Sequence, residues 1–291
     1  RGESLLLLKL SLAAAAVHLA SGGVMCGIMS MGIQGIAAAS IVSQAAMLLM
    51  LVIAAHSQGI LPHLAPPPWS YLTRLVRLDN PLSTLPILHA LGMTIVIVAA
   101  AQLGPVSMAA NHTVMGAFML LLTCTEPLHQ TARTMLLRYV SSDDSNTNVF
   151  YPPRTLLLLK NLMVASVAMG GLLALVGCAG TWAAAGLVTR DRAVASMVQS
   201  TATMLLPVYL LSPLATVVDG ALNAPADFHF LVGTRALILA GMAAGLWGLQ
   251  SNGYAGLQWI WLVYAAHLVL RVTASLLRIE STMQVFGAER V

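Results

Sequence analysis

Eight predominantly apolar stretches, each about 20 residues and so long enough to cross the hydrocarbon core of a bilayer, follow one another along this chain. They run roughly from Leu5 to Ile28, Ile33 to Ala55, Leu82 to Leu103, Met108 to Leu128, Leu156 to Ala179, Ala202 to Leu222, Phe228 to Leu249 and Leu257 to Ile279. An outer-membrane barrel would need strands of alternating polarity, whereas runs such as "LLLLKLSLAAAAVHLA" are unbroken. Of 291 residues 58% are apolar, against only 14 Lys and Arg and 10 Asp and Glu. A soluble globular chain would be about 25% charged. The expected fold class is all-α, a polytopic membrane bundle of eight transmembrane helices.

The breaks between stretches have physical causes. Gly22-Gly23 and Gly32 interrupt the first hairpin, Asn80-Pro81 opens the third stretch, Gly104-Pro105 closes it, and Asn252-Gly253 turns the seventh into the eighth. If the spans simply alternate, only Arg190 and Arg192 among the 14 basic residues fall on one side. That bias is the positive-inside signature, and it places both termini on the cytoplasm-equivalent side, the stroma in a plastid. The connection from His56 to Asn80 holds Pro66-Pro67-Pro68 and then "WSYLTRLVRL", whose Trp69, Leu72, Leu75 and Val76 share one helical face. It reads as an interfacial helix after a stiff linker, or as a solvated loop. "SSDDSNTN" at Ser141 to Asn148 is a hydrophilic connection between the fourth and fifth stretches.

Chemical motifs are few. Cys26, Cys124 and Cys178 show neither a CxxC pair nor ligand spacing, so no disulfide framework or metal site is expected. His18, His89, His112 and His267 lie in or beside apolar helices but not at the i, i+3 or i, i+4 spacing of a helical ligand pair, so hydrogen-bonded structural roles are expected. The 16 methionines read as flexible filling and the five tryptophans as interfacial anchors. No Walker loop, GxSxG elbow, HExxH helix or dinucleotide fingerprint occurs, so the chain is not expected to be an enzyme. Asn111-His112-Thr113 matches a glycosylation sequon at a helix entrance and reads as accidental. Nucleic-acid binding has no support beyond an isoelectric point of 9.2, which the basic loops explain. A weak internal repeat, Gly32-Ile33-Gln34-Gly35-Ile36 against Gly253-Tyr254-Ala255-Gly256-Leu257, opens the second and the eighth stretch alike.

Four segments carry a likeness to a known family. "MGIQGIAAASIVSQ" from Met31 to Gln44 looks like "GxGxxGAAxATxxSQ", "LGPVSMAANH" from Leu103 to His112 like "LGPxxMAAHQ", and "EPLHQTARTML" from Glu126 to Leu136 like "EPLSQTAQSFM". "VVDGALNAPADF" from Val217 to Phe228 keeps a "DGxxxxxxDF" spacing through Asp219, Gly220, Asp227 and Phe228. In this order the chain resembles the multidrug and toxic compound extrusion (MATE) transporters, most closely their plant and algal plastid branch. The resemblance implies a fold of twelve helices in two six-helix lobes, with solute and coupling ion exchanged by rocking. On that map residues 1–58 are the last two helices of the N-terminal lobe, 59–81 an inter-lobe linker with the interfacial helix, and 82–291 a complete C-terminal six-helix lobe. The family's first four helices are missing on that map; the chain opens with Arg1 rather than Met and so reads as a processed or partly resolved piece of a longer polypeptide. Departures from the pattern are Asn111-His112 for a His-Gln pair, Arg133 for a Gln, and Ala224-Pro225 for a Gly-Ala pair.

A carboxylate at membrane depth is costly and marks a functional site by default. Asp219 follows Pro207 and Pro213, whose kinks free backbone carbonyls that could help coordinate a cation. In the family a carboxylate at the matching position helps bind the coupling H⁺ or Na⁺; the competing reading of Asp219 is a residue that caps a helix end or pairs with Arg235. Glu126 lies ~28 Å along the helix from Ser107, toward the basic side, where pairing with His129 or Arg133 competes with a coupling role. With Asn111, His112 and Gln130 these two form the candidate ion-coupling and solute cavity.

The leading expectation is therefore a MATE-like antiporter of an organic solute against H⁺ or Na⁺ in a plastid envelope or thylakoid membrane. It would need no cofactor beyond the bound ion, with lipid or pigment contacts at its surface. The alternative is a transport-inactive, MATE-derived scaffold in a larger plastid membrane complex such as a photosystem, motivated by the four helices not seen and the altered polar positions.

Overall fold

A computed structural model of the chain describes residues 2–57, 59, 68–141, 153–223, 228–254 and 256–288. Helix is the only regular structure among them, in ten α-helices: α1 Gly2–Gly22, α2 Gly32–Ser57, α3 Trp69–Gln102, α4 Pro105–Leu122, α5 Glu126–Ser141, α6 Pro153–Val188, α7 Arg192–Ala202, α8 Leu206–Asn223, α9 Phe228–Ser251 and α10 Leu257–Ala288. Seven helical segments of the described residues are long and apolar enough to cross a membrane. Their outward faces carry large apolar side chains, such as Leu187, Leu237 and Leu175, where a soluble protein would carry charge. The chain is an all-α integral membrane protein.

The expected first stretch is helical too, but its apolar described part, Leu12–Ile28, is shorter than the other seven segments. Gly22-Gly23 does not break it, for the helix continues as a π-helix over Gly23–Ile28. The reversal comes at Ser30 and Gly32, both with positive φ (53° and 57°). Gly104 (φ 102°) and Gly253 (φ 80°) end α3 and α9 where the sequence places the turns, and Pro105 opens α4, where its missing N–H costs nothing. Asn80-Pro81 behaves otherwise. The helix runs through it, so that the segment read as an interfacial helix and the third span form one helix of 34 residues. A proline inside a helix removes one hydrogen bond but need not stop it when packing holds the flanking turns. The side chains from Ser70 to Ser83, the proline run, most of the "SSDDSNTN" segment and Ala224-Pro225 lie outside the described residues.

The chain divides into two compact units, Arg1–Leu72 and Thr73–Val291. In the first, α1 packs on α2, Ala39 is fully buried, and His18 Nδ1 meets Ser43 Oγ at 3.3 Å. In the second, α8 is the central helix, in contact with α5, α6 and α10 and buried along almost its whole length. In lipid the apolar surroundings supply no driving force between helices, so close packing must. Glycines provide it on α6: a Cβ at Gly170 would collide with the Leu210 carbonyl oxygen, and one at Gly177 would sit 2.6 Å from the Tyr209 ring. Phe118, Tyr209, Trp261 and Tyr264 form a buried aromatic cluster with centroids 5.7–6.0 Å apart, mostly edge to face, each contact adding about 1 kcal/mol beyond burial.

Candidate functional site

Two of the spans in the second unit are broken in the same way. Between α4 and α5 the helix tightens to a 3-10 turn over Thr123–Thr125, and between α7 and α8 over Thr203–Leu205. The cause is the proline that follows each turn. Pro127 and Pro207 have no N–H to give the carbonyls of Thr123 and Thr203, four residues back. Those carbonyls accept instead from the N–H groups of Glu126 and Leu206, three residues on. Glu126 thereby becomes the first residue of α5.

Asp219, on the penultimate turn of α8, is buried, and its Oδ2 is shared by two guanidiniums. Arg235 Nη2 of α9 lies 2.6 Å away, and Arg271 Nη2 of α10 donates to the same oxygen. Three helices are thus pinned at one atom. The Asp219 side chain keeps only 2% of its surface exposed, against 13% for Arg235 and 14% for Arg271. Of the three, the two arginines keep the more exposed side chains, and all three border the cavity described next. Gly220 allows this placement, because a Cβ there would come 2.8 Å from the His129 carbonyl oxygen of α5. With the helices so close, His129 Nδ1 donates to the Thr216 carbonyl at 2.9 Å, which fixes its tautomer, since a carbonyl can only accept.

These groups line a cavity of about 330 Å³. From α3 come Leu85 and His89; from α4 Phe118 and Leu122; from α5 Glu126, His129 and Arg133, one helical stripe at i, i+3 and i+7. From α8 come Ser212, Thr216 and Asp219, from α9 Arg235, and from α10 Tyr264, Leu268 and Arg271. The lining mixes apolar side chains with arginines and carboxylates. A smaller void of about 20 Å³ lies beside the same arginines, bordered by His89, His267 and Tyr264.

Of the expected site residues, Asp219 and Glu126 share this cavity. Asp219 makes the expected pair with Arg235, together with Arg271. Glu126 is exposed and accepts from Gln130 Nε2 at 2.7 Å, and among the described residues no ion pair joins it to Arg133. Gln130 therefore reaches the site only through Glu126. Asn111 is fully buried elsewhere on α4, accepting from Trp261 Nε1 at 3.2 Å, and His112 is exposed; neither borders the cavity. Asp227 lies outside the described residues. Arg271, His89 and Tyr264 are residues that the sequence did not single out as a site. A signal for Arg271 did exist: an arginine in the middle of "WLVYAAHLVLRVTASLL" cannot reach a loop and needs a partner at depth. Counting it with the basic residues of one side concealed this.

No family model, curated protein or solved structure matches the chain.

Proposed function

We propose that the chain is a MATE-like secondary active transporter that exchanges an organic solute for H⁺ or Na⁺ across an organelle membrane. The motif resemblance points to a plastid envelope or thylakoid, with both termini on the positive side. The observation that carries the reading is the charged cavity of about 330 Å³ beside two proline-broken spans. Interrupted helices and charges at membrane depth are the features with which transporters build solute sites, and irregular backbone is tolerated in lipid only where it is buried or lines a cavity. The test is gradient coupling. Protein extracted gently from its native membrane and reconstituted into vesicles should release an imposed proton or sodium gradient when an organic ion is added outside. Protein-free vesicles should not.

A second reading, a transport-inactive scaffold of a larger membrane complex, draws on the triad itself. Asp219 Oδ2 is already shared by two arginines and the side chain is sealed, an arrangement suited to fixing three helices rather than to admitting a coupling cation. That reading predicts no gradient-coupled flux and migration with a large assembly on native gels.

A further inference from the structure

We infer that the cavity of the second unit takes a small organic anion, a carboxylate with an apolar body, docked on the face formed by Arg235 and Arg271. The inference rests on the transport reading of this cavity and deepens it by fixing the charge of the solute.

The charge balance of the buried triad is the first ground. Among the described residues two guanidiniums face one carboxylate, leaving one positive charge uncompensated where an unpaired charge is costly. Arg133 and Glu126 on the same cavity add one charge of each sign, and Glu126 is already engaged by Gln130. His89 and His129 add no negative charge in either protonation state.

Exposure is the second ground. What the cavity meets is the side of Arg235 and Arg271, 13% and 14% exposed, while Asp219 is 2% exposed. The cavity therefore meets more arginine than carboxylate. Guanidinium groups recognise carboxylates in a planar, two-donor geometry, which makes them suited to an oxyanion.

Shape is the third. Phe118, Leu122, Leu85 and Leu268 supply apolar lining in the same cavity as the arginines, and about 330 Å³ matches a ligand site for a small molecule rather than a bare inorganic ion.

The experiment uses three probes of one shape and different charge, benzoate, benzamide and benzylammonium, titrated calorimetrically into the purified full chain. Benzoate should bind saturably and raise the melting temperature. Benzamide should bind about tenfold to a hundredfold more weakly, the factor lost with a charge-assisted pair, and benzylammonium should not bind. Arg271→Gln leaves a neutral Arg235–Asp219 pair and should lose benzoate binding by a similar factor. Because that variant risks misfolding, Asp219→Asn provides the second arm: with two unpaired guanidiniums, it should gain more thermal stability from benzoate than the parent does. Benzylammonium binding as well as benzoate, or benzoate binding unchanged in Arg271→Gln, overturns the inference.

An acidic lipid headgroup carries similar oxyanion chemistry. Equal benzoate binding in phosphatidylcholine and phosphatidylglycerol nanodiscs is the result expected for a free solute, whereas exclusion of benzoate by phosphatidylglycerol assigns the site to lipid and overturns it. Benzoate binding without gradient-coupled flux keeps the anion site and removes the transport reading. Coupled flux of another solute, with no competition by benzoate, does the reverse.

Discussion

Arg235 Nη2 lies 2.6 Å from Oδ2 of Asp219, joining the first third of α9 to the last turns of α8 where the carboxylate side chain is only 2% exposed. Arg271 completes the junction from α10. Removing the carboxylate therefore leaves two buried cations facing each other. Asp219→Asn is expected to destabilise the protein by about 3 kcal/mol, read as a lowered midpoint of thermal or denaturant unfolding in detergent. Glu126→Gln, at an exposed helix start with one hydrogen bond to Gln130, should stay within about 0.5 kcal/mol of the parent. Equal effects of the two would remove the distinction drawn between them.

Gly220 sets the spacing of α8 and α5. A methyl group there would lie 2.8 Å from the His129 carbonyl oxygen and 3.0 Å from Ala132 Cβ, so Gly220→Ala should push the helices apart and weaken the His129–Thr216 hydrogen bond. A loss of about 1–3 kcal/mol is expected, the usual cost of overpacking. Gly171→Ala, where a Cβ meets nothing within 4 Å, should be neutral or slightly stabilising, as alanine favours helix over glycine. Denaturant melts of the two variants side by side make the comparison.

Trp261 carries both an aromatic contact and a hydrogen bond. Trp261→Phe keeps most of the ring packing on Phe118 and Tyr264 but leaves Asn111 Oδ1 without its donor in a fully buried site. A cost of about 1–3 kcal/mol follows from the stranded acceptor. In the background of Asn111→Leu the same change should cost much less. A double-mutant cycle with no coupling would mean that the pair contributes nothing.

Pro127→Ala and Pro207→Ala restore the N–H groups that the carbonyls of Thr123 and Thr203 lack. Each should convert its 3-10 turn into regular α-helix, with unchanged or higher thermal stability. If the breaks serve movement of the spans, flux should fall while stability does not. A fall in both would assign the prolines to packing alone.

Much of the helix plan can be read from residues that act locally. Gly104-Pro105 and Asn252-Gly253 end helices because a positive φ and a missing N–H are properties of those residues themselves. Asn80-Pro81 misleads because a proline inside a helix removes a hydrogen bond without having to end the helix. The triad is legible only in part. That Asp219 needs a partner follows from its depth, and Arg235 is near in sequence, but Arg271 is 52 residues away and its meeting with Asp219 is set by how α8 and α10 cross. The same holds for Asn111, whose polar character in an apolar helix is evident while its partner Trp261 lies 150 residues on. Glu126 pairs with Gln130 one turn ahead rather than with His129, because the close α5–α8 crossing at Gly220 directs the histidine to Thr216.

The most direct measurement is flux of radiolabelled benzenesulfonate, a permanent anion that does not cross lipid unaided, into vesicles containing the full chain under an imposed proton or sodium gradient. The account predicts gradient-dependent uptake by the parent protein, competed by benzoate, and loss of uptake in an Arg271→Gln variant that still folds. Uptake no greater than in protein-free vesicles under either gradient, from protein that melts cooperatively, would contradict it.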